Sequence, residues 1–314
     1  MSKLSRPRKG SLQFYPRKRA AKFLHRVNWT PISSQEGLLG IIAYKVGMAS
    51  ALVKDTKEKS LTAKKQLTIP VTILEVPSMK IFSVRFYKNS KPLTEIIVSN
   101  DKELKRKLKV PKTLKSLEKD IPKSYDDIKI IVYSMPKQTS IKKTPDLIEL
   151  AINAKNKLEY VKSFIGKEIS FQEFLKSELL DVRGLTTGKG FSGPVKRFGI
   201  TLKAHKSEKG VRRPGSLAPW HPARVTFRTP QAGQLGLFSR IIYNLKVIHS
   251  GKISESDINP ITGFKHYGKI KTSYIILSGS VQGPSKRQLL LTPSFRPSKI
   301  QSKKKLEFME LYTK

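Results

Sequence analysis

Hydrophobic and polar positions are most clearly patterned between residues 40 and 98. The stretches GIIAYKVGMASALVKD and QLTIPVTILEV are dominated by Val, Ile and Thr, which suit a pleated and half-buried backbone. This predicts strands over 41–44, 49–55 and 68–75, continuing over 83–87 and 93–98. Beyond residue 100 the period lengthens. Asn100 and Glu103 have capping-box spacing, Leu104 and Leu108 share a face, and Pro111 ends the segment, so a helix is expected there. Residues 127–133 predict an apolar strand. Residues 153–164 predict a helix with Leu158 and Val161 on one face and Gly166 in the C-cap position. Ser170 and Glu173 repeat the capping spacing before Phe174 and Leu175, and strand character returns at 273–277 and 288–291. No internal repeat is present.

Two segments fit neither period. Residues 1–30 hold nine Lys or Arg and no acid, and Pro7, Gly10 and Pro16 break any helical register. Phe14, Tyr15, Phe23 and Trp29 are interleaved with these charges, as in a segment that stacks on RNA. Residues 183–249 hold thirteen Lys or Arg, nine of the nineteen glycines and one acid, Glu208. Such a stretch repels itself and buries too little apolar surface to fold alone without a polyanion. The whole chain agrees: 62 Lys and Arg oppose 23 Asp and Glu, a net charge of +39 with pI near 10.3. A nucleic-acid partner is the expectation.

The 38% hydrophobic content supplies a core but leaves a sizeable share of the 314 residues outside it. The absence of cysteine excludes disulfides, thiolate zinc sites and cysteine nucleophiles. The basic N-terminus lacks a following apolar run, and the best apolar stretch, 37–53, is interrupted by Lys45. A soluble cytoplasmic chain is expected, with no membrane partner.

Candidate chemistry is sparse. Gly188, Gly190 and Gly193 match GxGxxG, and Glu208 stands where a ribose-reading acid would. Pro194 follows the last glycine, however, and VKRFGITLKAHK shows no helical period, so backbone approach to RNA is the better reading. Gly184 to Lys189 falls one residue short of a P-loop and lacks its terminal Ser or Thr. The five histidines (25, 205, 221, 249 and 266) have no metal-ligand spacing, and no nucleophile elbow or carboxylate pair is seen. Neither a metal nor a cofactor is expected. Trp220 lies between Pro219 and Pro222 with no alternating apolar pattern around it. An exposed indole there can stack on a base, worth roughly 1–3 kcal/mol. Phe191, Phe198, Phe227 and Tyr243 could stack likewise or pin the segment's own hairpin.

The strings SRPRKGSLQFYPRKRA, GLLGIIAYKVGM, GLTTGKGFSGPVKRFGI, KGVRRPGSLAPWHPARV, GFKHYG and GSVQGPSKRQLLLTPSFRP follow one another in this order. With them, from about residue 5 to 300, the chain resembles the ribosomal protein L3 family in its archaeal and eukaryotic form. Its length and RRPGS string are closer to the archaeal side. The resemblance implies a translation-protein-type β-barrel with an α/β insertion, and a tongue that runs through large-subunit rRNA towards the peptidyl transferase centre with the Trp220 loop at its tip. It also implies a role early in subunit assembly. Two departures stand out. Leu237 and Phe238 replace a common Tyr-His pair, which favours apolar packing. Glu208 stands near a histidine that eukaryotic relatives can methylate, so that modification is not expected.

The expected organisation is a basic arm (1–36), a mainly β body with a barrel over 37–76 and 177–300 interrupted by an α/β insertion (77–176), a tongue (183–249) and a basic tail (301–314). The expected RNA contacts are Arg6, Arg8, Lys9, Arg17, Lys18 and Arg19 in the arm. In the tongue, Lys189, Lys196 and Arg197 flank the glycines, and Lys203, Lys206, Lys209, Arg212 and Arg213 form a phosphate clamp. Trp220 and His221 make the tip, Arg224, Arg228 and Arg240 lie on a return strand, and Lys286, Arg287 and Arg296 follow later. The partners expected are large-subunit rRNA and neighbouring large-subunit proteins, with neither DNA nor homo-oligomers. An RNA-modifying enzyme with a basic extension is the competing reading. A DNA-compacting protein is the third, which a Pro- and Gly-broken tongue suits poorly because duplex grooves are read by helices or ribbons.

Overall fold

The computed structural model describes residues 10–32, 35–58, 60–114, 117, 120–206, 209–217 and 219–313. In chain order the strands are β1 (Gly37–Leu38), β2 (Ile41–Asp55), β3 (Gln66–Val76), β4 (Met79–Lys88), β5 (Lys91–Ile97), β6 (Asp127–Ser134) and β7 (Leu147–Asn153). After helices α1 (Lys157–Phe164) and α2 (Phe171–Phe174) come β8 (Leu179–Leu185), β9 (Phe191–Ser192) and helix α3 (Pro194–Phe198). The chain continues through β10 (Gly233–Gln234), β11 (Ser239–Lys252), β12 (Ser273–Ser278), β13 (Gln288–Pro293), α4 (Lys299–Ser302) and β14 (Leu306–Tyr312). The protein is mainly β.

Two compact units can be distinguished. The first joins the described part of 1–22 to 185–239; the second comprises 23–184 and 240–314. The second unit carries two sheets. One has five strands in the order β1-β7-β6-β4-β5. The other has the order β13-β8-β11-β12-β3-β2-β14, and β13 also pairs with β2, so six strands close into a ring with β14 appended. Along β3 and β12 successive side chains face opposite ways, and both faces are covered. Leu74, Val76, Ile275 and Leu277 join a large core shared with Ile81, Val84, Phe86, Ile130 and Leu150 of the five-stranded sheet. Val71, Ile73, Tyr274 and Ile276 point to a second core with Val53, Tyr267 and Ile270. Burial on both faces explains the near-continuous apolar runs in the sequence.

Several expected elements differ in detail. The strands expected at 41–44 and 49–55 are one strand, β2, whose register against β3 shifts between Lys45 and Gly47. A bulge therefore bends the chain where a break was expected. The helix after Asn100 is only a 3-10 turn over Leu104–Arg106, with Glu103 rather than Asn100 at its N-cap. One buried leucine, Leu104, anchors it, and Leu108 is largely exposed, so a longer amphipathic face has nothing to pack on. The helix expected from Asn153 begins at Lys157, because Asn153 closes β7 with its side-chain amide on the Gln35 carbonyl at 3.0 Å. Strand β7 had a legible period-2 pattern in Ile148, Leu150 and Ile152, yet was not expected.

Candidate nucleic-acid interface

The tongue and arm residues meet in the first unit, where backbone pairing and two arginines hold them. Ser192 pairs with Gly233 and Phe191 with Gln234 in the β9–β10 ribbon. Lys189 N–H donates to the Leu235 carbonyl and Thr186 N–H to that of Phe238, and the arm joins through Ala20 N–H on the Leu237 carbonyl at 3.0 Å. Gly236, at φ +74°, runs so close that an added Cβ would lie 2.0 Å from the Thr187 carbonyl oxygen. Only glycine fits there.

Contrary to expectation, a helix does open at Gly193. Pro194 is at the first turn of α3, where its missing N–H costs nothing, and left-handed Gly199 ends the helix one turn later. The residues before the glycine form only the two-residue β9 rather than a strand leading into a βαβ unit. The helix sets up Arg197, whose Nε donates to Gln234 O at 3.0 Å, Nη1 to Gln231 O at 2.9 Å and Nη2 to Arg17 O at 3.3 Å. Arg17 reciprocates with Nη1 to Arg197 O at 2.9 Å, its guanidinium 4.3 Å from the centroid of buried Phe198. Partial desolvation pushes the Arg197 pKa below its ordinary value, and the nearby Arg17 charge pushes it further down. Both guanidiniums thus donate to carbonyl oxygens within the unit, Arg197 to three and Arg17 to one.

The other cations point outward. Among the described residues this unit has fourteen Lys or Arg and no acid, four in the arm and ten in the tongue. Lys18, Arg19, Lys22, Lys189, Lys196, Lys206, Lys209, Arg212, Arg213, Arg224 and Arg228 are exposed, and Lys203 is partly covered. Lys203 N–H donates to the Val211 carbonyl at 3.0 Å, which brings together the two sides of the segment carrying Lys206 and Lys209. Trp220 is 80% exposed, with the exposed His221 ring edge-on at 6.2 Å. Phe191 and Phe227 are likewise open, whereas Phe198 is buried; the Phe227 ring meets Tyr15 edge-on at 5.5 Å. The segment expected as a return strand from Arg224 is mostly irregular, with only Gly233–Gln234 and the start of β11 in strand conformation. Its Pro and Gly residues deny it a continuous ladder. Leu237 lies against Gly188, where an added Cβ would meet its Cδ1 at 3.1 Å.

The remaining expected contacts lie elsewhere. Arg6, Arg8, Lys9 and Glu208 fall outside the described residues. Arg240, Lys286, Arg287 and Arg296 belong to the second unit. There Arg240 O accepts from Gln282 Nε2 at 3.0 Å, Arg287 lies over Phe23 at 5.2 Å, and Arg296 over Phe295 at 5.1 Å. Trp29 is only 5% exposed and packs in the main core with Val27 and Ile32. Its expected stacking on RNA is therefore overturned: position 29 is where the chain enters the body, and an indole buries the largest apolar area of any side chain. His25 Nε2–H donates to Gly184 O at 3.1 Å, and burial lowers its pKa. Among the described residues no group of three or more His, Asp or Glu could hold a metal, and no helix is long and apolar enough to cross a membrane.

One group of surface residues carried no sequence expectation. Between β11 and β12 a braced loop presents Ile261, Lys265, His266 and Lys269 to solvent. Its only legible signal was an isoleucine inside an Asn-Pro-Ile-Thr-Gly turn, where polar residues are usual.

Sequence comparison places these features among known proteins. The profile described as Ribosomal protein L3 matches residues 1–313. The large ribosomal subunit protein uL3 of Methanocaldococcus jannaschii is 38% identical over 312 residues, covering 94% of this chain and 92% of that protein. The uL3 of Archaeoglobus fulgidus is 39% identical, covering 95% and 94% of the two chains. That of Thermoplasma acidophilum is 38% identical and covers 98% and 97%. A match that runs unbroken through body, tongue and arm leaves one conclusion: the chain belongs to the ribosomal protein L3 family.

Proposed function

We propose that this protein is a non-enzymatic, structural constituent of the large ribosomal subunit in the cytoplasm, binding and organising large-subunit rRNA beside neighbouring subunit proteins. The observation that carries this reading is the first unit's fourteen cations without one described acid, eleven of them exposed around open aromatic rings. Mutual repulsion of that many like charges is relieved where closely spaced phosphates supply the counter-charge. Lysines and arginines fix register on the backbone, while Trp220, Phe191 and Phe227 offer π-faces to unpaired bases.

In finer terms, the six-stranded ring is read as a translation-protein-type β-barrel, interrupted by the insertion at 77–176 and bearing the arm, tongue and tail. The Trp220 loop is the tip that reaches towards the peptidyl transferase centre, and the arm and tongue serve early assembly. Arg17 and Arg197 act within the protein, shaping the surface that Lys189, Lys196, Lys206, Lys209, Arg212 and Arg213 present. An RNA-modifying activity has no supporting observation.

Sedimentation tests the reading. The protein should travel with large subunits through a density gradient at moderate salt and leave them only at high salt. A predominantly free pool, or one that labels with a methyl donor, would overturn it.

A further inference from the structure

Ile261 is 95% exposed, yet the loop that carries it is braced by hydrogen bonds from Asn259 and Glu75. Gly263 N–H closes the tip turn on Pro260 O at 2.8 Å. The Asn259 side chain then ties the two sides of the loop: its Nδ2 donates to Ile270 O at 3.0 Å and its Oδ1 accepts from Ile270 N–H at 2.7 Å. Below this, the buried Glu75 carboxylate accepts from Lys271 N–H at 2.8 Å, from Thr272 N–H and Oγ1 at 3.0 Å each, and from the Tyr267 hydroxyl. A loop fixed this way cannot fold its isoleucine inward. A single exposed apolar side chain is ordinary on a protein surface; this one stands apart because a braced loop holds it in water beside exposed cations.

Residues 259–271 contain Lys265, Lys269, Lys271 and His266, and Asp257 just before them accepts from Asn259 N–H at 2.8 Å. Lys265, His266 and Lys269 are exposed, and His266 is held in the left-handed region at φ 63°. Lys271 Nζ donates to Ser140 Oγ at 2.8 Å, joining the loop to the turn at 136–144, where Lys143 is exposed while Lys137 and Lys142 are paired with Glu103 and Asp146. An apolar wedge on a loop with exposed Lys265, His266 and Lys269 matches the way proteins enter the shallow groove of a nucleic-acid helix or an opened base step. A protein partner would be expected to meet a wider apolar patch with fewer lysines.

We infer that the loop at 259–271 is a second RNA-contact element, with Ile261 inserted among nucleotides and Lys265 and Lys269 on flanking phosphates. It rests on the rRNA-binding reading above but uses none of the arm or tongue residues. The cysteine-free chain offers a direct test. Ile261→Cys, Trp220→Cys and Glu159→Cys proteins would each be tethered to an iron chelate at the new thiol, assembled into large subunits, and rRNA cleavage by the locally generated radicals mapped. The expected result is a discrete set of rRNA cuts from position 261, separate from those made from position 220 and absent with the Glu159→Cys protein. Cuts from position 220 but none from 261 above the Glu159→Cys background would overturn the inference and spare the rRNA reading. Cleavage of a neighbouring protein alone from position 261 would also overturn it. Cuts from none of the three would defeat both.

Discussion

Arg197 gives the sharpest separation between a cation that binds RNA and one that builds the surface for it. Its guanidinium donates to three carbonyls, those of Gln234, Gln231 and Arg17. Hydrogen bonds to charged groups contribute about 1.5–3 kcal/mol each when well shielded. They are not additive here and water reaches part of the group, so Arg197→Ala should cost the first unit about 1–3 kcal/mol. RNA affinity should fall with it, by a similar factor at every salt concentration, because no phosphate contact has been removed. Replacing the exposed Lys189, Lys196 and Lys206 together by Ala should act differently. Each lost phosphate contact flattens the plot of log affinity against log salt by roughly 0.7–0.9, so the triple variant should lose about 2–3 from the slope. Its deficit relative to wild type should then shrink by about 20–40-fold between 50 and 200 mM salt. Filter binding to large-subunit rRNA across a salt series measures both. If Arg197→Ala flattens the slope as a lysine substitution does, its guanidinium sits on a phosphate and the internal role is wrong.

Other consequences can be checked on the same purified chain. Glu75→Leu strands four donors, of which the Tyr267 hydroxyl is buried, and should destabilise the second unit by about 2–4 kcal/mol in urea, whereas Glu75→Gln, which keeps one oxygen for the Lys271 and Thr272 donors, should cost about 1 kcal/mol; equal effects would refute the carboxylate's bracing role. Gly236→Ala should lose protection from hydrogen exchange at Lys189 and Leu235, whose amides belong to the ladder that the close approach to Thr187 allows; unchanged protection would count against that packing. Burial lowers the pKa of His25 in the folded chain, so its contribution to stability is intact above about 6.5 and declines as pH falls below that value, where the unfolded chain protonates first. A His25→Gln chain should lose that part of the acid sensitivity in thermal melts. Trp220→Ala should leave the melting transition unmoved, since the ring is in solvent, while perturbing tRNA accommodation or antibiotic response in assembled subunits.

What could be read from the residues alone followed from charge and from period. The strands expected at 41–44, 49–55, 68–75, 83–87, 93–98 and 127–133 were visible because Val, Ile and Thr cluster there, even in β5, which is mostly exposed. The tongue was visible because nine glycines and thirteen cations share it with one acid. Strand β11 was hidden for the same reason: Arg240, Lys246 and Lys252 gave it the look of the tongue it leaves, although Ile241, Ile242, Val247 and Ile248 are packed at least in part. The 3-10 turn at Leu104 shows the reverse error, since a local capping signal does not make a helix without a surface to receive it. Trp29 resembled a stacking residue by its basic neighbours, and only the fold reveals that it lies inside. Nor could spacing reveal that Arg17 and Arg197 hold each other's backbone, because 180 residues separate them. The Ile261 loop depends on Glu75, equally distant in sequence, and its rigidity has no local signature.

Competition binding reaches the central claim most directly. Labelled large-subunit rRNA bound to the purified chain would be challenged, at one fixed near-physiological salt, with unlabelled large-subunit rRNA, small-subunit rRNA and duplex DNA at equal phosphate concentration. A shaped surface predicts a preference for large-subunit rRNA of at least ~100-fold, or about 3 kcal/mol, over both others. Equal displacement by all three would mean that the +39 charge binds any polyanion, and would contradict the account.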